Sequence, residues 1–134
     1  TARIFQVPGK TLLAVTSEVD PEKAKALAKV GAEVVELPAK GGMVDLEKLL
    51  KFLGKRQIVS IMVEGGAAVF GSLFEEYLVD KVLVFIAPII IGGHEAKNPV
   101  EGKGVEKLSQ ATGFTRVKVE KIGSDVLISG YVAR

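Results

Sequence analysis

The sequence predicts an α/β fold: a three-layer α/β/α arrangement around a mainly parallel sheet, closed by a C-terminal antiparallel hairpin. Three observations carry that expectation. Apolar β-branched runs alternate with segments of helical periodicity, which implies parallel strands joined by helical crossovers. Two of the helical segments open on aspartate, a residue suited to capping free helix amides. The last segment alternates in polarity, turns at a glycine and returns, which reads as a hairpin.

Residues 11–15 (TLLAV) read as a short buried strand. Asp20, Pro21 and Glu22 then start a helix: Asp caps, Pro suits the first helical position, and Glu favours the positive end of the dipole. That helix runs to about Val30 and stops at Gly31. Residues 33–37 (EVVEL) form the next strand, closed by Pro38, and a loop with Gly41 and Gly42 follows. Asp45 caps a second helix, with Leu46, Leu49, Leu50 and Leu53 at helical spacing and Gly54 at its end. Residues 58–63 (IVSIMV) are expected as a third strand and run into Glu64, Gly65, Gly66 and a third helix, whose apolar face is Phe70, Leu73, Phe74 and Tyr77. The uniformly apolar run 82–91 reads as a central strand covered on both faces, with a bend at Pro88. Residues 94–113 are irregular, with one helical turn expected near 105–108. Residues 114–122 and 126–132 make the hairpin around Gly123, Ser124 and Asp125.

The bulk composition fits a globular domain, with 48% hydrophobic and 25% charged residues. A net charge of +2 does not point to nucleic acid, which needs a concentrated basic patch. With no cysteine, the chain has neither a disulfide framework nor a thiolate metal site, and no metal is expected. The apolar run 82–91 is about half the length of a membrane-spanning helix, and residues 1–6 lack the charged start and apolar run of a signal peptide. A cytoplasmic setting is expected. The chain starts on Thr1 without an initiator Met and enters structure almost at once, as an excised or processed fragment would.

The segment 58–72, IVSIMVEGGAAVFGS, carries the chemistry. A strand runs into two glycines where a helix begins, and in open α/β sheets ligands collect beyond the carboxyl ends of strands. The helix start offers unpaired N–H groups and a positive dipole end, and glycines remove the β-carbons that would hold a phosphate away. Ala67 and Ala68 keep the first turn small, and Gly71 allows close packing on the sheet or on a ligand. Together these features favour a diphosphate. The spacing is not the dinucleotide fingerprint GxGxxG, and a purely structural βα turn is the competing reading. Glu64 beside a phosphate site would repel it unless the carboxylate points elsewhere, which suits contact with a polar substrate; a solvated carboxylate is the alternative. Thr16 and Ser17 are placed to contact an adenosine or simply to prepare the turn before Asp20. Lys97, Lys103 and Lys107 stand either as anion-attracting groups or as a solvated loop, and His94 reads as a surface residue.

Val63-Glu64-Gly65-Gly66, then Gly71-Ser72-Leu73, Leu78-Val79-Asp80-Lys81, Ile86-Ala87-Pro88 and Ile91-Gly92-Gly93 together resemble the reductase domain of bifunctional riboflavin-biosynthesis deaminase/reductases. The likeness extends more loosely over nearly the whole chain, so residues 1–134 read as the C-terminal part of such a domain. The resemblance implies a dihydrofolate-reductase-like fold and NADPH as cofactor. Its substrate would be a phosphorylated aminopyrimidinedione, 5-amino-6-ribosylaminouracil 5′-phosphate, whose ribosyl chain is reduced to ribityl. It matches Glu64 to a substrate-contacting glutamate, and Gly65, Gly66, Ala67, Ala68, Val69, Phe70, Gly71 and Ser72 to the segment along the cofactor. It also implies a homodimer and a deaminase domain fused upstream in some members; because a truncated sheet exposes strand edges that tend to pair, the C-terminal hairpin region is the expected interface. Two departures stand out. Ala67 and Ala68 occupy places where many relatives have Pro or Ala and then Thr or Glu. The family's long N-terminal portion, which carries much of the substrate pocket, does not precede Thr1. A nucleotide-binding or assembly module without catalysis of its own is therefore the alternative reading.

Overall fold

The structure, a computed structural model, describes residues 2–133; Thr1 and Arg134, the two termini of the sequence reading, lie outside the described residues. The chain divides into two compact units, residues 1–61 and 62–134.

The first unit opens with a 3-10 turn, Arg3–Phe5, and then β1, Thr11–Val15. Helix α1, Pro21–Lys29, starts as expected: the Asp20 carboxylate accepts from the backbone N–H groups of Glu22 and Lys23. Gly31, at φ +98, lets the chain leave the helix and enter β2, Ala32–Glu36. β1 and β2 pair in parallel, Thr11 opposite Ala32 through Val15 opposite Glu36. The expected loop at 39–43 closes into a small antiparallel ladder, β3 (Ala39–Lys40) with β4 (Met43–Val44), because Gly41 and Gly42 both adopt positive φ. Helix α2, Leu46–Lys55, is capped by Asp45, which accepts from the Lys48 N–H; it runs through Gly54 and ends at Lys55, one residue past the glycine, with Arg56 as its C-cap. Arg56 then reaches back to β2, donating to the Glu33 carboxylate at 2.8 Å while its guanidinium lies 4.3 Å from the Phe52 ring centre.

The second unit contains α3, Ala67–Glu75, then β5, Lys81–Ile86, a 3-10 turn at Leu108–Gln110, and the hairpin β6, Phe114–Ile122, with β7, Asp125–Val132. The hairpin is where the alternation placed it, turning at Gly123 with φ +62. A bulge between Thr115 and Lys118 shifts its register and swings Arg116 over the Tyr131 ring at 3.9 Å.

Four expectations need correction. The described sheets are a parallel pair, a short antiparallel ladder and a three-stranded antiparallel sheet in the order β5-β7-β6, so the chain is mixed α/β and its sheet is fragmented; the mainly parallel sheet is not what the described residues form. Residues 58–63 form no strand and have no ladder partner among the described residues, and Val59 is 96% exposed; an apolar run becomes a strand only when a neighbour takes its hydrogen bonds. The run 82–91 is an edge strand only to Ile86, antiparallel to β7, because Pro88 has no N–H to extend the ladder; Ile89 to Ile91 are exposed, and the central strand is β7. Tyr77 lies beyond α3 in a positive-φ conformation and is exposed, so it does not extend the apolar face, which Phe70, Leu73 and Phe74 make alone. The 3-10 turn also falls slightly later than expected, at Leu108–Gln110.

Among the described residues, Ala32 and Leu73 are the buried apolar side chains and Ser129 the buried polar one. Among the described residues, no helix is long and apolar enough to cross a membrane.

Candidate functional site: the start of helix α3

Helix α3 begins where the sequence placed it, at Gly66. Gly66 has φ +79 and ψ 117, a conformation reserved for glycine. Its carbonyl accepts the first helical bond, from Phe70 N–H at 3.0 Å. Unlike α1 and α2, α3 has no side-chain cap. The N–H groups of Ala67, Ala68 and Val69 have no acceptor among the described residues. A helix start with these donors free and the dipole behind them is an anion acceptor.

Among the described residues, little lies against the two glycines. A β-carbon on Gly65 would meet no atom within 4 Å, and Gly65 lies outside the positive-φ range. A β-carbon on Gly66 would touch only Val69, at 3.6 Å. Ala68 and Val69 are exposed, while Ala67, Phe70 and Ser72 are half-buried. The Ser72 hydroxyl donates back to the Ala68 carbonyl at 3.0 Å, which occupies its proton within the helix. Gly71 is buried, and its α-carbon faces the backbone of Glu101 and Gly102. Glu64 is exposed and forms no hydrogen bond or ion pair with the described residues, so its carboxylate is available to a ligand.

Other candidate residues have settings of their own. Thr16 turns the chain: its carbonyl accepts from Val19 and its hydroxyl from Glu18, which is the turn-making role. His94, Lys97, Lys103 and Lys107 are exposed. Two shallow cavities, one lined by Ile4, Pro8 and Leu12 and one by Phe74, Val79 and Thr112, include no residue of 64–72. No group of three acidic, His or Cys side chains that could hold a metal occurs among the described residues. Sequence reading did not single out Glu75 or Gly102, which clasp the segment 101–103 to α3; a glycine inside a helix, at Gly71, was the available signal that another backbone comes close.

The family model for the RibD C-terminal domain matches residues 1–128. The chain belongs to this family. Among curated relatives, the riboflavin biosynthesis protein RibD of Actinobacillus pleuropneumoniae is 35% identical over 89% of the chain, which spans 31% of that protein. The 2,5-diamino-6-ribosylamino-4(3H)-pyrimidinone 5′-phosphate reductase of Archaeoglobus fulgidus is 33% identical over 96% of the chain, which spans 55% of it. The chain thus spans between about a third and just over half of these relatives. Among solved structures, Acinetobacter baumannii RibD matches 90% of the chain with a TM-score of 0.72 at 22% identity, the match spanning 31% of that protein. The Saccharomyces cerevisiae reductase Rib7 matches 98% of the chain with a TM-score of 0.70 at 23% identity, spanning 55% of that protein. At those identities the likeness speaks for the fold, which is that of the RibD and Rib7 reductases.

Proposed function

We propose that this RibD-family chain belongs to a cytoplasmic, NADPH-dependent reductase of riboflavin biosynthesis, and that the α3 start receives the cofactor diphosphate. The observation that carries the reading is the uncapped first turn of α3 behind Gly65 and Gly66. Its free amides fit a diphosphate, and the absence of β-carbons lets the anion reach them. Gly65, Gly66, Ala67, Ala68 and Val69 would hold the phosphates by backbone, with Phe70, Gly71 and Ser72 continuing the segment. Because the contacts are to backbone, the departures at Ala67 and Ala68 leave them intact.

When bound, NADPH supplies the hydride that reduces C1′ of the opened ribosyl chain to the ribityl form. The residues of this chain bind and orient. Glu64, exposed one residue before Gly65, is assigned to the substrate, to its hydroxyls or to a cationic imine at C1′. The substrate is 5-amino-6-ribosylaminouracil 5′-phosphate. A second substrate, the 2,5-diaminopyrimidinone counterpart, is favoured by the Archaeoglobus fulgidus relative, which the chain covers more fully than it covers RibD. Turnover of NADPH by the intact gene product with each pyrimidine separates the two. Consumption with neither supports the alternative, a nucleotide-binding or assembly module without catalysis.

The reading also includes a homodimer through the hairpin region. In support, β6 is an edge strand along its whole length, with Val117, Val119 and Ile122 exposed, and such edges pair readily. A deaminase domain upstream is part of the RibD-like version. The three-layer, mainly parallel arrangement is retained as a proposal for the intact protein. The parallel β1–β2 pair supports it, and slow amide exchange at Ser60, expected only if 58–63 is a paired strand, tests it.

A further inference from the structure

Three consecutive residues, 101–103, are fastened along one face of α3. The Glu101 N–H donates to the Ala67 carbonyl at 3.1 Å. The Glu101–Gly102 backbone lies on Gly71 so closely that a β-carbon there would overlap the Glu101 carbonyl oxygen. The Glu75 carboxylate accepts from the Lys103 N–H at 2.6 Å. Ala67, Gly71 and Glu75 are spaced four apart, which stacks them on one side of the helix. Gly102 fits the same design: its φ is +119, and a β-carbon on it would stand 2.6 Å from the Glu75 Oε1.

Helix α3 is only nine residues long and has no side-chain cap. A short helix frays first at such an end. An anion that must order the first turn before binding to it gives up affinity for the ordering. The strap opposes fraying at that turn, because one of its three fastenings is to Ala67 itself.

We propose that Glu75 is a positioning residue for cofactor binding: through the Lys103 N–H it seats the segment 101–103 on α3, and the seated segment keeps the first turn of α3 ordered for the diphosphate. The proposal rests on the reading that the diphosphate binds at the α3 start. It assigns a role to a carboxylate at the far end of the helix, away from the phosphates and from Glu64.

The test uses the intact gene product, with NADPH titration and amide hydrogen exchange measured without NADPH. Glu75→Ala removes the acceptor. Glu75→Gln keeps an amide oxygen in its place. Glu75→Ala is expected to speed exchange at the Lys103, Glu101 and Phe70 amides and to weaken NADPH binding about tenfold, the scale of one hydrogen bond to a charged group. KM for NADPH rises correspondingly while kcat is retained. Glu75→Gln restores both readouts toward wild type. Should Glu75→Ala not fold, Glu75→Asp, whose carboxylate is one methylene short, is read the same way. If the three amides exchange faster but NADPH binds as tightly as before, the positioning role is overturned. It is also overturned if exchange at the three amides is unchanged. Gly65→Val is measured alongside. If that change leaves NADPH binding intact, the diphosphate reading itself falls, whereas a weakened Gly65→Val with an unaffected Glu75→Ala refutes the positioning role alone.

Discussion

Valine at Gly65 and valine at Gly66 look equivalent in the sequence, yet the structure sets them apart. At Gly66 the backbone has φ +79 and ψ 117, and a β-branched residue forced into a glycine-only region costs about 1–3 kcal/mol before any ligand is considered. For a domain of this size that strain corresponds to a fall in thermal midpoint of roughly 2–4 °C per kcal/mol. At Gly65 the backbone lies outside the positive-φ range and a β-carbon meets nothing within 4 Å. Gly65→Val therefore leaves the fold nearly untouched while filling the space through which a diphosphate would reach the Ala67 to Val69 amides. The expected loss is one or two phosphate–amide hydrogen bonds, about 1–3 kcal/mol, or roughly 5- to 150-fold in NADPH affinity. Calorimetric titration of NADPH with a parallel melting curve is the assay. Gly66→Val is expected to lose both affinity and stability, so it is the less discriminating change. A Gly65→Val protein that binds NADPH like wild type would refute the reasoning, because the space beside Gly65 would then not be the phosphate's.

Three further outcomes are expected. Glu64→Gln should leave NADPH affinity nearly intact and lower turnover, since Glu64 is assigned to the substrate; an affinity loss as large as that of Gly65→Val would show that this division of the site is wrong. The Arg56 guanidinium, by its hydrogen bond, holds the Glu33 carboxyl below its ordinary value of 4.5, so the pair's contribution to stability is present above that value and is lost as pH falls through the lower folded value. Melting curves of wild type and Glu33→Gln should differ near pH 6 and converge toward acid; a constant offset across that range would contradict the assignment. Light scattering of the intact protein should give a dimer, and a monomer at high micromolar concentration would exclude the hairpin-mediated assembly.

What the sequence made legible was local. Asp20 and Asp45 cap amides two and three residues away, so both helix starts could be read from their own neighbourhoods. The hairpin was readable because strand alternation and the Gly123 turn lie within one short stretch. The α3 start was readable for the same reason: the glycines and the helix they open are adjacent. The runs 58–63 and 82–91 were misread because apolarity shows that a segment suits burial and says nothing of which strand takes its hydrogen bonds. Pro88 carried the one local hint, a missing donor, and the ladder does end before it. The clasp between Glu75 and Lys103 spans 28 residues, and neither residue type nor spacing announces it. Only Gly71, a helix-weakening residue with no local need for positive φ, hinted that a second backbone lies against α3.

We propose that this RibD-family chain takes part in hydride transfer from NADPH to a ribosylaminopyrimidine phosphate. Turnover of the intact gene product with NADPH carrying deuterium at the transferable C4 position, followed by mass spectrometry and NMR of the product, tests it most directly. The expected product is a ribityl compound with one deuterium at C1′ and none elsewhere. A ribityl product without deuterium at C1′, or NADPH that binds and is never consumed with either pyrimidine, would contradict it.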